Sequence, residues 1–111
     1  MQLDVTFKDG RRMVAEAGMT FTGTDSQTGR SLDYICFTDH ILTGPILARK
    51  HRVYYFKVDY ITRQIIFSDN AESEEFEFVK ETLAEALDCV VKGPCCLFDL
   101  VRGGIEKVEF I

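Results

Sequence analysis

The chain has 111 residues and a formal net charge of −5, and 46% of its residues are apolar and 28% charged. This length and composition predict one globular domain, residues 1–111, that buries enough apolar surface to fold without disulfides. They exclude a membrane-spanning helix, because no apolar run approaches the roughly 18 residues that such a helix needs. The first residues lack the pattern of a secretory signal, so we expect a cytoplasmic protein.

The N-terminal residues predict a β-hairpin. Apolar and polar side chains alternate over residues 2–7, and the dipeptide Asp9-Gly10 is a strong hairpin signal. A three-residue loop would place Gly10 at the left-handed bulge position and pair Val5 with Met13, so that apolar residues share a face. A two-residue loop would mix the two faces, and we therefore prefer the longer loop.

The return strand continues this alternation, and Gly18 inside it predicts a bulge or a bend. The residues expected on one face of this strand are Met13, Ala15, Ala17, Met19 and Phe21. The following segment, 23–30, is polar and contains two glycines. It matches no phosphate-loop pattern, and we interpret it as a mobile hairpin connection.

Further strands are predicted by the remaining apolar segments. Residues 32–38 form a nearly continuous apolar run, which is typical of a central strand covered on both faces. Residues 53–59 and 64–68 predict a second hairpin around a polar turn. Near the C-terminus, residues 96–101 and 105–111 predict two final strands separated by a glycine turn.

Residues 73–92 show the one long helical pattern of the chain, and the Gly93-Pro94 dipeptide would end it. Apolar residues recur with the helical period within an arc of about 100°, as on the core-facing side of a surface helix. This stripe consists of Phe76, Val79, Leu83, Ala86, Leu87 and Val90. The opposite side is acidic and carries Glu74, Glu77, Glu81, Glu85 and Asp88.

Together these segments predict an α+β fold. We expect a mainly antiparallel, curved sheet of about six or seven strands, with the amphipathic helix of about residues 73–92 packed against it. A strongly curved sheet of this size could approach a barrel.

The sequence contains no motif of a hydrolase or a metalloprotease, and its histidines and cysteines lack the spacing of a zinc site. On a strand, Cys36 and His40 would lie about 13 Å apart, too far for a thiol–histidine pair. We expect reduced thiols at Cys36, Cys89, Cys95 and Cys96. We therefore predict no catalytic residue, no metal and no cofactor. Missing motifs favour binding over catalysis without excluding an enzyme.

The negative charge is concentrated in the last part of the chain. Residues 71–111 carry a formal charge of −6, whereas residues 1–32 are neutral and residues 33–70 carry +1. This distribution argues against a protein that coats nucleic acid and favours a protein partner with a basic surface. We predict a non-enzymatic protein-interaction domain: an adaptor, a subunit, or an inhibitor whose acidic face imitates nucleic acid. A homodimer is compatible with this hypothesis, and the expected partner-binding residues are Phe78, Glu77, Glu81 and Glu85.

Two alternatives stay open. A curved sheet with one helix can enclose a pocket, which would make the chain a small-ligand or nucleotide-binding domain with or without hydrolytic activity. The anion-binding residues would then be Arg49, Lys50, His51 and Arg52. The second alternative is nucleic-acid binding through the basic and aromatic segment 49–57, because such proteins use charges for phosphates and rings for bases.

Overall fold

The computed structural model describes residues 1–25, 28–38, 51–86 and 98–111, with only the backbone of His51. Within these ranges, seven strands and one helix are present. In chain order they are β1 (Gln2–Phe7), β2 (Arg12–Thr24), β3 (Ser31–Thr38), β4 (His51–Asp59), β5 (Gln64–Phe67), α1 (Ser73–Ala86), β6 (Phe98–Val101) and β7 (Ile105–Phe110).

The strands form one sheet in the order β5-β4-β3-β2-β1-β7, in which every neighbouring pair is antiparallel. The remaining strand, β6, runs parallel to the first half of β4. The rings of Phe56 on β4 and Phe110 on β7 lie 6.4 Å apart, although three strands separate β4 from β7 in the sheet. The sheet is therefore curled nearly into a barrel, and the predicted α+β class with a mainly antiparallel sheet is confirmed.

The first hairpin has the predicted register. Val5 pairs with Met13 and Leu3 with Ala15, and Gly10 has a φ of +92°. Glycine adopts this left-handed conformation without steric cost, so the three-residue loop keeps the apolar side chains of both strands on one face.

A bulge in β2 changes which face its side chains occupy. The register with β3 shifts between Ala17, which is opposite Phe37, and Met19, which is opposite Cys36. Ala17 packs against the inner core, whereas Met19 and Phe21 pack against the core under the helix. The prediction that all five alternating residues share one face was therefore wrong, because the extra residue of a bulge reverses the alternation that follows it. The predicted bulge at Gly18 is confirmed.

Two apolar cores lie on the two faces of the sheet. The inner core is enclosed by the curled sheet and consists of Leu3, Val5, Phe7, Ala15, Ile35, Phe37, Tyr54, Phe56, Val58, Ile105 and Val108. The helix-side core consists of Tyr34, Cys36, Val53, Tyr55, Val79, Leu83, Ala84 and Phe98. The strands β3 and β4 send alternate side chains to each core, which explains the continuous apolar run over residues 32–38.

The helix α1 packs on the outer face of the sheet. Its predicted end at residue 92 and the following Gly93-Pro94 dipeptide lie outside the described residues. Val79 and Leu83 are buried as predicted, but Ala84 is buried where Ala86 was expected, and Ala86 is exposed. The contact side of the helix is thus rotated towards Ala84, whose small side chain allows the helix to approach the sheet closely.

Gly23 on β2 should be sensitive to substitution. An added Cβ would lie 2.6 Å from Tyr34 and 2.8 Å from Phe78, so Gly23→Ala should lower the free energy of unfolding by about 1–3 kcal/mol. The matched control is Gly18→Ala on the same strand, where the nearest atom would be 3.7 Å away, at ordinary contact distance. Urea denaturation of both variants checks this expectation, and equal losses at the two positions would contradict it.

Candidate functional site

An open cleft of about 570 Å³ lies where β5 leads into α1. It is lined by two isolated acidic side chains, one lysine and a continuous run of nine residues: Asp25, Lys57, Gln64, Ile65, Ile66, Phe67, Ser68, Asp69, Asn70, Ala71, Glu72 and Glu75. The volume falls in the range of known small-molecule sites.

A buried ion pair forms part of the cleft wall. The Nζ atom of Lys57 lies 2.7 Å from Oε1 of Glu75 and 3.6 Å from Oδ1 of Asp25. The side chain of Lys57 is 11% exposed and that of Glu75 is 8% exposed. Burying one unpaired charge with so little solvent around it has a high free-energy cost. The ammonium and the two carboxylates therefore stabilise one another.

Two tyrosine hydroxyls complete the contacts of Glu75. Tyr34 donates to its Oε1 at 3.2 Å, and Tyr55 donates to its Oε2 at 3.5 Å. Burial raises the pKa of both phenols, and the nearby Glu75 carboxylate raises each further. Both tyrosines therefore stay protonated and act as hydrogen-bond donors throughout the neutral pH range.

Ser68 contributes a hydroxyl group that is not satisfied. The residue is 2% exposed, and within the described part of the chain its Oγ has no hydrogen-bond partner. Its proximity to Tyr55 acts to lower the pKa of that phenol, against the larger effect of burial. Because Ser68 is a lining residue of the cleft, its unsatisfied hydroxyl is a candidate contact for a ligand.

Local sequence explains why these side chains converge. Lys57 follows Tyr55 by two residues on β4, so strand alternation turns it to the helix side of the sheet. Glu75 precedes the fully buried Val79 by one helical turn, which places its carboxylate over the same surface. The position of Asp25 is set by the turn that follows β2, where its N–H donates to the carbonyl of Arg30 at 2.8 Å.

The β2–β3 connection is tied to the next turn by a second ion pair. The guanidinium of Arg30 lies 2.8 Å from Asp59, at the end of β4. Burial acts to raise the pKa of Asp59, but backbone N–H donors of Thr62 and Ile61 and the charge of Arg30 lower it on balance. Of the described residues of this connection, Asp25 lines the cleft, and the antiparallel pairing of β2 with β3 fits the interpretation of the segment as a hairpin connection.

The predicted partner-binding residues lie on α1, away from the cleft lining. Glu77, Glu81 and Glu85 are exposed, as the helical pattern indicated. Phe78 is 41% exposed, and its ring packs edge-on against Tyr34 and Phe21, with centroid distances of 5.9 and 6.0 Å. These two ring contacts explain why the side chain of Phe78 is only partly exposed.

The predicted anion-binding residues are only partly described. Arg49 and Lys50 lie outside the described residues, His51 begins β4, and Arg52 is exposed opposite Asp99 of β6. The rings of the adjoining segment, Tyr54, Tyr55 and Phe56, are buried in the two cores. Buried rings cannot stack on bases, which weakens the nucleic-acid hypothesis.

The thiol of Cys36 is free and buried, and burial raises its pKa to about 12. A thiol with this pKa is not a nucleophile at neutral pH. The other residues considered for thiol or zinc chemistry, His40, Cys89, Cys95 and Cys96, lie outside the described residues.

The sequence analysis missed the residues that form the cleft. Two signals were present: Lys57 interrupts the apolar run of β4 at a position whose neighbours by alternation are buried, and Glu75 lies within one helical turn of the apolar stripe. Neither signal shows that the two side chains meet, because that depends on how α1 crosses the sheet.

Comparison with protein-family models, curated proteins and solved structures finds no match to this chain. Among the described residues, no group of three or more His, Cys, Asp or Glu side chains is arranged to hold a metal ion. None of the helices formed by these residues has the length and apolar character needed to cross a membrane.

Removing the charge of Lys57 should destabilise the protein strongly. Lys57→Met would leave two buried carboxylates without a cation and should lower the free energy of unfolding by about 3 kcal/mol. Adding Glu75→Gln to this variant should recover part of the loss, because a neutral amide needs no counter-charge. Urea denaturation of the single and double variants measures this coupling.

A surface pair provides the matched control. Lys107 and Glu109 also lie 2.7 Å apart, but their side chains are 63% and 56% exposed. Lys107→Met should cause no measurable loss in the free energy of unfolding, because solvent screens exposed ion pairs. If Lys57→Met and Lys107→Met lower the free energy of unfolding equally, the ion pair of Lys57 is not effectively buried.

Proposed function

We propose that this chain is a non-enzymatic binding domain, and that the cleft between β5 and α1 receives a cationic group of its ligand. The observation that supports the proposal is the combination of an excess of carboxylates with the buried, unpaired Ser68 hydroxyl in one cleft. An amine or a guanidinium group donates hydrogen bonds and carries positive charge, so it satisfies both.

The charge of the cleft favours a cation. Its lining includes four carboxylates and one ammonium, a formal charge of −3, and the ion pair of Asp69 with the neighbouring Lys8 reduces this to −2. Lys57 is already paired with Glu75 and Asp25, so it adds little attraction for an anion. A cation would instead be attracted by the net negative charge of the lining.

The same arrangement disfavours phosphate. The N-terminus of a helix attracts anions, but the first turn of α1 already carries Glu74 and Glu75. A phosphate would have to approach these carboxylates as well as Glu72 and Asp69 of the lining. An amine therefore fits the site better than the nucleotide considered from the sequence.

We expect Ser68→Ala to separate ligand binding from stability. The free energy of unfolding of the free protein should not fall, because the substitution removes a buried hydroxyl that has no described partner. The affinity for cadaverine, measured by isothermal titration calorimetry, should fall about tenfold, which corresponds to the loss of one hydrogen bond of about 1.4 kcal/mol. Unchanged affinity for cadaverine would show that the cleft is not the binding site.

A second pair of variants tests the role of charge. Glu72→Gln removes one carboxylate from the cleft lining and should weaken cadaverine binding, whereas Glu81→Gln makes the same change on α1 away from the lining and should not. Inorganic phosphate serves as the anionic titrant. Phosphate binding in the absence of cadaverine binding would contradict the proposed preference for cations.

The acidic face of α1 supports a second candidate function, a protein-interaction domain for a partner with a basic surface. Its support is the exposure of Glu77, Glu81 and Glu85 on one side of the helix, beside the partly exposed Phe78. An adaptor, a subunit or an inhibitor could use this face, and a homodimer is compatible with it. The buried free thiol of Cys36 is compatible with a reducing compartment, and we propose the cytoplasm for either function.

Charge reversal tests the second candidate. Changing Glu77, Glu81 and Glu85 together to Lys should weaken binding of an oligolysine peptide at least tenfold if the helix face is the binding surface, because three attractive contacts become repulsive. The matched control makes the same change in net charge at exposed residues of β2 and β7, which are Glu16, Glu106 and Glu109. A similar loss of affinity for the peptide in both triple variants would indicate a general effect of net charge and would contradict a specific role of the helix face.

A further inference from the structure

The strand β5 is an edge of the sheet and lies along the cleft. It is the first strand in the sheet order, and among the described residues it pairs only with β4. Its four residues, Gln64–Phe67, all line the cleft. In an antiparallel edge strand, alternate residues turn their N–H and C=O groups away from the partner strand, so β5 offers unpaired main-chain groups for a further strand.

The side chains of β5 point alternately to the two faces of the sheet. Ile65 and Phe67 pack against the inner core of the curled sheet. These two residues therefore line the cleft mainly with their backbone. Gln64 and Ile66 lie on the other face, where Ile66 is opposite Lys57 in the register with β4. The cleft therefore combines an open strand edge with the buried acidic group around Lys57.

The two edges of the sheet differ in how they are protected. The other edge, β7, has the sequence IEKVEF and carries Glu106, Lys107 and Glu109. Charged side chains on an edge strand are a common device against pairing with other chains. The strand β5 has the sequence QIIF, with neither a charged residue nor a proline. An edge without this protection is typical of a strand that accepts a peptide.

We propose that β5 is the docking site of an extended, basic segment of a partner protein, which adds a strand to the sheet and places a lysine or arginine side chain in the cleft. This inference rests on the proposed recognition of a cation by the cleft. The net negative charge of the lining, which is −2 when Lys8 is counted, favours a basic segment. It disfavours a second copy of this chain, because pairing β5 with β5 would bring two acidic clefts together.

The chemistry of strand addition specifies the segment. Side chains alternate along a strand, so a segment that pairs with the four residues of β5 would turn every second side chain towards the cleft. Basic residues at alternate positions, separated by β-branched residues, fit this arrangement. The main-chain hydrogen bonds supply affinity, and the pocket supplies the preference for a cation.

The test uses a pentapeptide in which valine and lysine alternate, labelled with fluorescein and titrated with the full chain in a fluorescence anisotropy measurement. Its control is the same peptide with two alternate backbone amides methylated, which keeps the charge but removes the donors needed for strand pairing. We expect the methylated peptide to bind about thirtyfold more weakly, which corresponds to about 2 kcal/mol for the loss of two main-chain hydrogen bonds. Equal binding of the two peptides would overturn strand addition while leaving recognition of the cation intact.

An exposed residue of β5 provides a matched pair of protein variants. Gln64→Lys should weaken binding of the unmethylated peptide several-fold, and Gln64→Glu should strengthen it, because the residue lines the cleft and its side chain is exposed. Binding of cadaverine without any binding of the peptide would overturn strand addition alone. If neither compound binds, the proposed function fails as well, so failure of the two proposals can be distinguished.

Discussion

The contact on which this end of the molecule depends is the ion pair between Lys57 of β4 and Glu75 of α1. It joins the helix to the sheet where the helix begins, and the hydroxyls of Tyr34 and Tyr55 reach the same carboxylate from β3 and β4. Buried ions are stable only when their counter-charges and hydrogen bonds are all in place. The cluster therefore sets the position of the first turn of α1 over the sheet, and the cleft beside it takes its shape from this position. The polar character of the cleft is therefore a structural requirement as well as the basis of the proposed recognition of a cation.

Much of the fold could be predicted from the sequence because local patterns determine it. Alternation and the Asp9-Gly10 turn predicted the first hairpin and its register, and the continuous apolar run predicted that β3 is covered on both faces. The prediction for β2 failed beyond Gly18, although the bulge itself was expected. A bulge reverses the faces of all residues after it, and sequence alternation alone does not show where this happens. The parallel pairing of β6 with β4 was also not predicted, because it depends on the path of the helix that connects them.

The candidate site was less predictable than the fold. Acidic residues on the exposed side of a helix are easily recognised in a sequence, whereas Lys57 and Asp25 belong to segments that are far apart in the chain and meet only in the folded protein. Their partner Glu75 lies at the margin of the apolar stripe, where a helical pattern does not distinguish a buried carboxylate from an exposed one. The position of β5 at an edge of the sheet could not be predicted either, since the order of strands in the sheet does not follow from the strand sequences. Sites built from such long-range contacts require the structure.

The strand β4 has two different partners on one side. Its first half pairs with β6 over residues 51–54, and its second half pairs with β5 over residues 56–59. The strand β5 follows it immediately in the chain, so this half can form as a local hairpin. The strand β6 follows only after α1, and its pairing must close a much longer loop. During synthesis on the ribosome, the first half of β4 therefore cannot pair with β6 until the residues that follow α1 have emerged. The strands β6 and β7 thus complete a sheet that exposes additional edges, and is more prone to aggregation, while it is only partly formed.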